Sequence, residues 1–225
     1  LLIRVRVFVS EINPNFLIGS MNKKTLLTLS ILAASLSIAG VTPVRAQTNP
    51  DDFTTEPDKT MAASHESFVK GDTDKAAKQI HNAATYVRKE SDEVATNAKA
   101  DLQKAGDALD KLGQGVKSGA VKSGDELKKT FATVDHAIAN GWHETAEQAK
   151  ASGKDAGDAL KKAGAALDGA ARWSGTKLKQ GAQATVDALK KAGKKTGAGV
   201  KAGAKEVEGW LKDIGNGIKE VGRKL

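Results

Sequence analysis

The sequence predicts an all-α fold: elongated, glycine-hinged amphipathic helices with one N-terminal helical hairpin and little compact core. Three observations predict it. From Leu127 to Leu225 the large apolar residues keep one angular phase. With successive residues 100° apart and Leu160 at zero, Phe131, Val134, Ile138, Trp142, Leu167, Leu189, Val207, Trp210, Leu211, Ile214, Ile218 and Val221 all fall within about 80° of it. Among the large apolar side chains of this stretch only Trp173 lies on the opposite side. No proline follows Pro57, so no backbone donor is missing downstream. Alanine, the best helix former, supplies 32 of residues 47–225, whereas Leu, Ile, Val and Phe together supply 27. Alanine favours helix but buries little surface, which is why the composition points to helices more than to a large core. Glycine opposes it: 20 of the 23 glycines lie between Gly106 and Gly222, and each costs about 1 kcal/mol relative to alanine inside a helix.

The elements follow in order. Residues 1–20 precede Met21 and read as an upstream non-native extension. Residues 21–46 read as a signal peptide: Asn22, Lys23 and Lys24 form a basic start, Leu26 to Val41 an apolar run, and Val44-Arg45-Ala46 a small-residue cleavage site. Cleavage after Ala46 implies a periplasmic or secreted protein. The chain contains no cysteine, which leaves no lipidated Cys, disulfide or thiol metal site. Residues 47–58, with Pro50 and Pro57, read as a flexible leader. Residues 59–117 read as a helical hairpin with a long second arm. Its first arm, to Lys70, carries Met61, His65 and Phe68 on one face; Gly71 suits a left-handed turn and Asp72 or Thr73 caps the second arm. Ile80, Ala84, Val87, Val94, Ala98, Leu102, Ala105, Leu109, Leu112 and Val116 then keep three-four spacing, which predicts one helix from 73 to 117. Two Ser-Gly pairs make 118–124 a hinge, and residues 125–225 read as an amphipathic basic repeat region divided again at the Ser-Gly pairs 152–153 and 174–175.

That last region repeats loosely. Asp-x-Leu-Lys-Lys occurs at 125, 158 and 187, and the leucines Leu102, Leu127, Leu160 and Leu189 are separated by 25, 33 and 29 residues, close to whole numbers of helical turns. The stripe drifts forward, toward an 11-residue rather than a heptad period. Charge is uneven: residues 151–225 carry 16 basic and 8 acidic side chains, and residues 47–150 carry 14 and 18. Lysine, alanine, aspartate and glycine on proline-poor helices, with repeated DALKKAG-type strings, resemble late-embryogenesis-abundant desiccation proteins. They are similar also to the lipid-binding helices of exchangeable apolipoproteins and lipid-droplet coat proteins. The likeness covers about Thr73 to Leu225 and implies folding on a membrane or on drying, without catalysis. The stretch SFVKGDTDKAAKQIHNAATYVRKES is similar to the helical hairpin of tetratricopeptide-type repeats.

The functional reading centres on the C-terminal segment. Val207, Trp210, Leu211, Ile214, Ile218 and Val221 form an apolar arc with Lys212, Lys219 and Arg223 clustered opposite, and Trp142 falls on the same phase. An aliphatic stripe with tryptophan and outward lysines is what a helix lying on an anionic membrane surface needs. The same face equally suits packing on another helix of the chain, a helical partner or a second copy in a homo-oligomer. Nucleic acid is a third class of partner: the basic tail would attract phosphates and its KKAGKKTGAGVKAGAK string is similar to linker-histone tails, but export argues against it. No cofactor motif, nucleophile elbow or phosphate loop occurs, and the reading is of a non-enzyme. His136 and His143 stand two helical turns apart, about 10 Å, too far to share a metal. Asp107 with Asp110 and Asp155 with Asp158 are three apart and read as solvated ion pairs with neighbouring lysines.

Overall fold

Capping chemistry places the helix starts. In the computed structural model, which describes residues 53–196 and 203–225, Thr55 accepts a hydrogen bond from the Asp58 backbone at 3.3 Å and, with Pro57 just inside, opens α1 (Glu56–Val69). Gly71, at φ 80°, reverses the chain, and the Asp72 carboxylate accepts from the Lys75 backbone at 3.1 Å to start α2 (Thr73–Ser91). There follow α3 (Thr96–Lys117), α4 (Gly124–Ala151), α5 (Gly157–Ser174), α6 (Gln180–Thr196) and α7 (Ala204–Gly222). The described residues contain no strand. The segments read as extension, signal peptide and the leader as far as 52, together with the glycine-rich stretch 197–202, lie outside them.

The all-α class is what the sequence predicts, and the breaks at 118–123, 152–156 and 175–179 fall at the expected Ser-Gly pairs, with Gly119, Gly153 and Gly175 left-handed. Two boundaries differ from expectation. The leader does not extend to Asp58, because the Thr55 cap starts α1 at Glu56 and buries Pro57 and Asp58. The single helix expected from 73 to 117 is two helices, broken at 92–95. There the Glu93 backbone bonds back to Glu90, and Val94 and Ala95 are buried in the turn. The apolar spacing runs through the break because Ser91 and Ala98, buried on either side, are seven residues apart, two full turns. Folded back, α3 lies against α2, and Arg88 reaches Asp107 at 2.8 Å and Asp110 at 2.5 Å. These aspartates thus pair with an arginine of the preceding helix rather than with adjacent lysines. Asp155 lies before α5, where its carboxylate accepts from the Gly157 backbone at 2.8 Å, so it does not share a helix face with Asp158.

The helices bury one continuous apolar cluster, where the composition had suggested little core. Met61, Ile80, Leu102, Leu109, Leu127, Phe131, Ile138, Leu160, Leu167, Leu189 and Ile214 are fully enclosed. Alanine makes up nearly half of the buried apolar residues among those described. Small side chains here act by letting helices approach closely rather than by their own area. Helix α4 is the hub, packing against α1, α2, α3, α5 and α7, while α6 and α7 close over α5.

Candidate functional site

The stripe predicted to carry function lies on α7 and faces inward. Leu211, Ile214, Ile218 and Val221 are buried against the core cluster, and Val207 and Trp210 are half-buried at the N-terminal end of the helix. Lys212, Lys219 and Arg223 project outward. The structure therefore brings the six apolar residues to one protein-facing side and the three basic residues to a solvent-facing one. Trp142 is used elsewhere: it is 5% exposed on α4, its indole N–H donates to Glu90 Oε2 at 3.0 Å, and Lys162 Nζ sits 3.7 Å from its ring centroid. Burial raises the Glu90 carboxyl above its ordinary range, against the opposing pull of the Trp142 hydrogen bond and Lys162.

Two histidines fix α7 on α4. His136 Nε2 lies 3.0 Å from the Ile218 carbonyl oxygen and His143 Nε2 lies 2.9 Å from that of Leu211. A carbonyl only accepts, so both rings carry their proton on Nε2. The pairs His136–Ile218 and His143–Leu211 are each displaced by seven residues in opposite directions, the register of two antiparallel helices. Each ring occupies a notch left by a missing side chain: a Cβ at Gly222 would stand 2.8 Å from His136 Nε2, and one at Gly215 would stand 3.0 Å from His143 Nε2. Gly217 does the same on the neighbouring side, where a Cβ would come 2.6 Å from Leu167 Cδ2 and 3.0 Å from Ala182 Cβ. Around the His143 notch, Glu147, Lys150, Glu208, Lys212 and Lys219 line a shallow groove between α4 and α7. Lys150 and Glu208 approach within 3.7 Å across it.

A second cluster, not apparent from sequence, joins α1, α4 and α5. Asp58, 1% exposed, accepts from Arg172 at 2.5 Å and from the Trp173 indole N–H at 2.9 Å. Trp173, the residue off the stripe, is thereby an anchor for the start of α1, with its ring edge-on to Phe131 at 5.2 Å and tilted against His65 at 5.8 Å. Desolvation, then the Lys128 charge, holds His65 below its ordinary value. Beside Asp58 sits Asp135 of α4, fully buried, with no hydrogen-bond donor to either oxygen among the described residues. The sequence holds a faint clue to the α7 seam, since histidines and glycines both recur at seven, and one to this cluster, since Asp135 falls about 20° from Leu160 on the apolar stripe; the other members, up to 115 residues apart, carry none.

Among the described residues no helix is long and apolar enough to cross a membrane, and no three His, Asp or Glu side chains converge as a metal site. Comparison with known protein families, curated proteins and solved structures finds no match to this chain.

Proposed function

We propose that this is a non-enzymatic, exported helical-bundle protein that associates with anionic surface, that of an envelope membrane first, through the lysine-rich exterior of its C-terminal helices. The observation that carries the reading is the division of α7, with its stripe buried against α4, α5 and α6 and Lys212, Lys219 and Arg223 outside, in a third of the chain with twice as many basic as acidic residues. Withdrawing Leu211, Ile214, Ile218 and Val221 from the bundle would forfeit on the order of 10 kcal/mol of gross burial, taking roughly 1.5–3 kcal/mol for each. Charge contact with the stripe left in place needs no such rearrangement. Export rests on the Met21–Ala46 segment, and protection of the membrane under stress is the role that the desiccation-protein likeness adds.

A second reading has support in the half-burial of Val207 and Trp210, which makes the N-terminal end of α7 its least enclosed part. There α7 would lift off and insert its stripe in lipid, or dock it on another helical protein. Co-sedimentation of residues 47–225 with phosphatidylglycerol and phosphatidylcholine vesicles, at low and high salt with tryptophan emission recorded, separates the two. Surface association gives binding to the anionic vesicles alone, reversed by salt, lost on Lys212→Glu with Lys219→Glu, and without a blue shift. Salt-resistant binding with a blue shift supports insertion, and no binding at low salt refutes both membrane readings and leaves the protein-interaction module.

A further inference from the structure

The pair Asp58–Asp135 is a buried carboxyl pair facing one full cation. Asp58 is satisfied: Arg172 and Trp173 both donate to it, which assigns it the negative charge. Asp135 is not: neither of its oxygens receives a donor from the described residues, although the residue is completely enclosed. Both carboxyls converge on Gly169 of α5, where an added Cβ would collide with Asp135 Oδ2 and stand 3.4 Å from Asp58 Cγ. No side chain could be accommodated there, so α5 presents bare backbone to the two acids. An ionised carboxylate with no donors, next to a second carboxylate and out of water, is the costliest form of this group. A neutral carboxylic acid has a proton to give, and the nearby acceptor with charge to spare is Asp58.

We propose that Asp135 is a neutral acid whose proton is donated to Asp58, so that the pair carries one negative charge and forms a single-proton latch fastening α1 to α4 and α5. The groups acting on Asp135 from the packed helices are Asp58 of α1, Glu90 of α2 and Arg172 of α5. Burial, then the charge of Asp58, a side-chain hydrogen bond with it, and lastly the charge of Glu90 disfavour ionisation, and Arg172 opposes them. The native state keeps a proton that the unfolded chain releases, so stability falls as pH rises from the ordinary aspartate range to the native value for Asp135, and is level above it. In the opposite sense, His65, held low in the fold, costs stability as pH drops below about 6.5.

The experiment compares the folding equilibrium of the 47–225 protein with that of Asp135→Asn from pH 4 to 9. The amide can still donate to Asp58 but cannot ionise, and taking the ratio of the two proteins cancels the groups not coupled to Asp135, His65 among them. The latch gives a wild-type to variant ratio that falls tenfold per pH unit through the window and then levels. A ratio constant across the range overturns it. Should the variant fail to fold, infrared spectra of wild-type protein labelled with 13C at the side-chain carboxyl of aspartate decide the matter at pH 6. A protonated-carboxyl band from aspartate supports the latch, and only carboxylate bands refute it.

Discussion

Replacing glycine by alanine at two positions of α7 should shift stability in opposite directions. Both substitutions remove the same intrinsic penalty, about 1 kcal/mol in a helix interior. At Gly209, which is exposed, an added Cβ meets nothing within 4 Å. Gly209→Ala should therefore stabilise the protein by roughly 0.5–1 kcal/mol. At Gly217 the new methyl would stand 2.6 Å from Leu167 Cδ2 and 3.0 Å from Ala182 Cβ. Leu167 is fully enclosed and Ala182 Cβ is fixed to its backbone, so neither can yield without moving a helix. Overpacking of this kind costs about 1–3 kcal/mol, which outweighs the propensity gain and leaves Gly217→Ala destabilising by about 1 kcal/mol. The two variants should thus differ by roughly 2 kcal/mol in urea denaturation of the 47–225 protein, with unchanged m-values. Equal stabilisation by both would refute the reasoning, because it would mean that nothing rests against the Gly217 face in solution.

Two other contacts of the bundle make separate predictions. Helix α3 has no side-chain cap of its own; the Ala95 N–H at its start donates instead to Thr145 Oγ1 of α4 at 2.8 Å. Thr145→Val should cost about 1–3 kcal/mol and accelerate amide exchange at Ala95, while Thr133→Val, whose hydroxyl only bonds back to Lys129 in exposed helix, should leave stability within about 0.5 kcal/mol. Burial alone would raise the Asp110 carboxyl, but hydrogen bonds from Arg88 and His81 outweigh it and hold it below its ordinary value. Its contribution is then complete above the unfolded aspartate range and is lost as pH falls through the lower native value. The pair is partly exposed, so the effect should stay under about 1 kcal/mol, seen as an acid-unfolding midpoint that moves to higher pH in Arg88→Gln.

Local chemistry was legible in the sequence wherever one residue type has one use. Gly71 with Asp72 and the Ser-Gly pairs marked real reversals, because a residue free to turn left-handed, set beside an oxygen able to cap, has little use except between helices. The three-four spacing identified the buried faces of α2, α3 and α7 correctly but was blind to the turn at 92–95. Periodicity reports which side of a helix is buried, and it is unchanged when a break occupies close to a whole number of turns. Depth of burial was not legible either. A low content of large aliphatics argues against a core only if helices keep ordinary separation, and Ala98 against Gly141, or Ala166 and Ala170 in the α5 core, shows helices that do not. The Asp58–Asp135 cluster was legible only in part: Asp135 falls about 20° from Leu160, on the apolar stripe, but Asp58 reads as the end of the leader and Arg172 as a surface charge, and only the approach of α1 to α4 and α5 makes them a unit.

The glycines of α7 bear on the choice between lipid and protein as the resting partner of its stripe. Composition treats them as four equal losses of helix stability. In the fold they are unequal: Gly215 and Gly222 each seat a histidine ring of α4, Gly217 receives Leu167 and Ala182, and only Gly209 faces open space. A fluid bilayer conforms to any apolar face and requires no gap at a given position, whereas a helix docking on side chains fixed in place needs notches where those side chains are. Three matched notches, two of them completed by histidine-to-carbonyl bonds in strict antiparallel register, are complementarity of the second kind. This supports the bundle as the ground state of α7 and leaves the lysines, which have no such notches built for them, as the part of the helix available to an anionic surface.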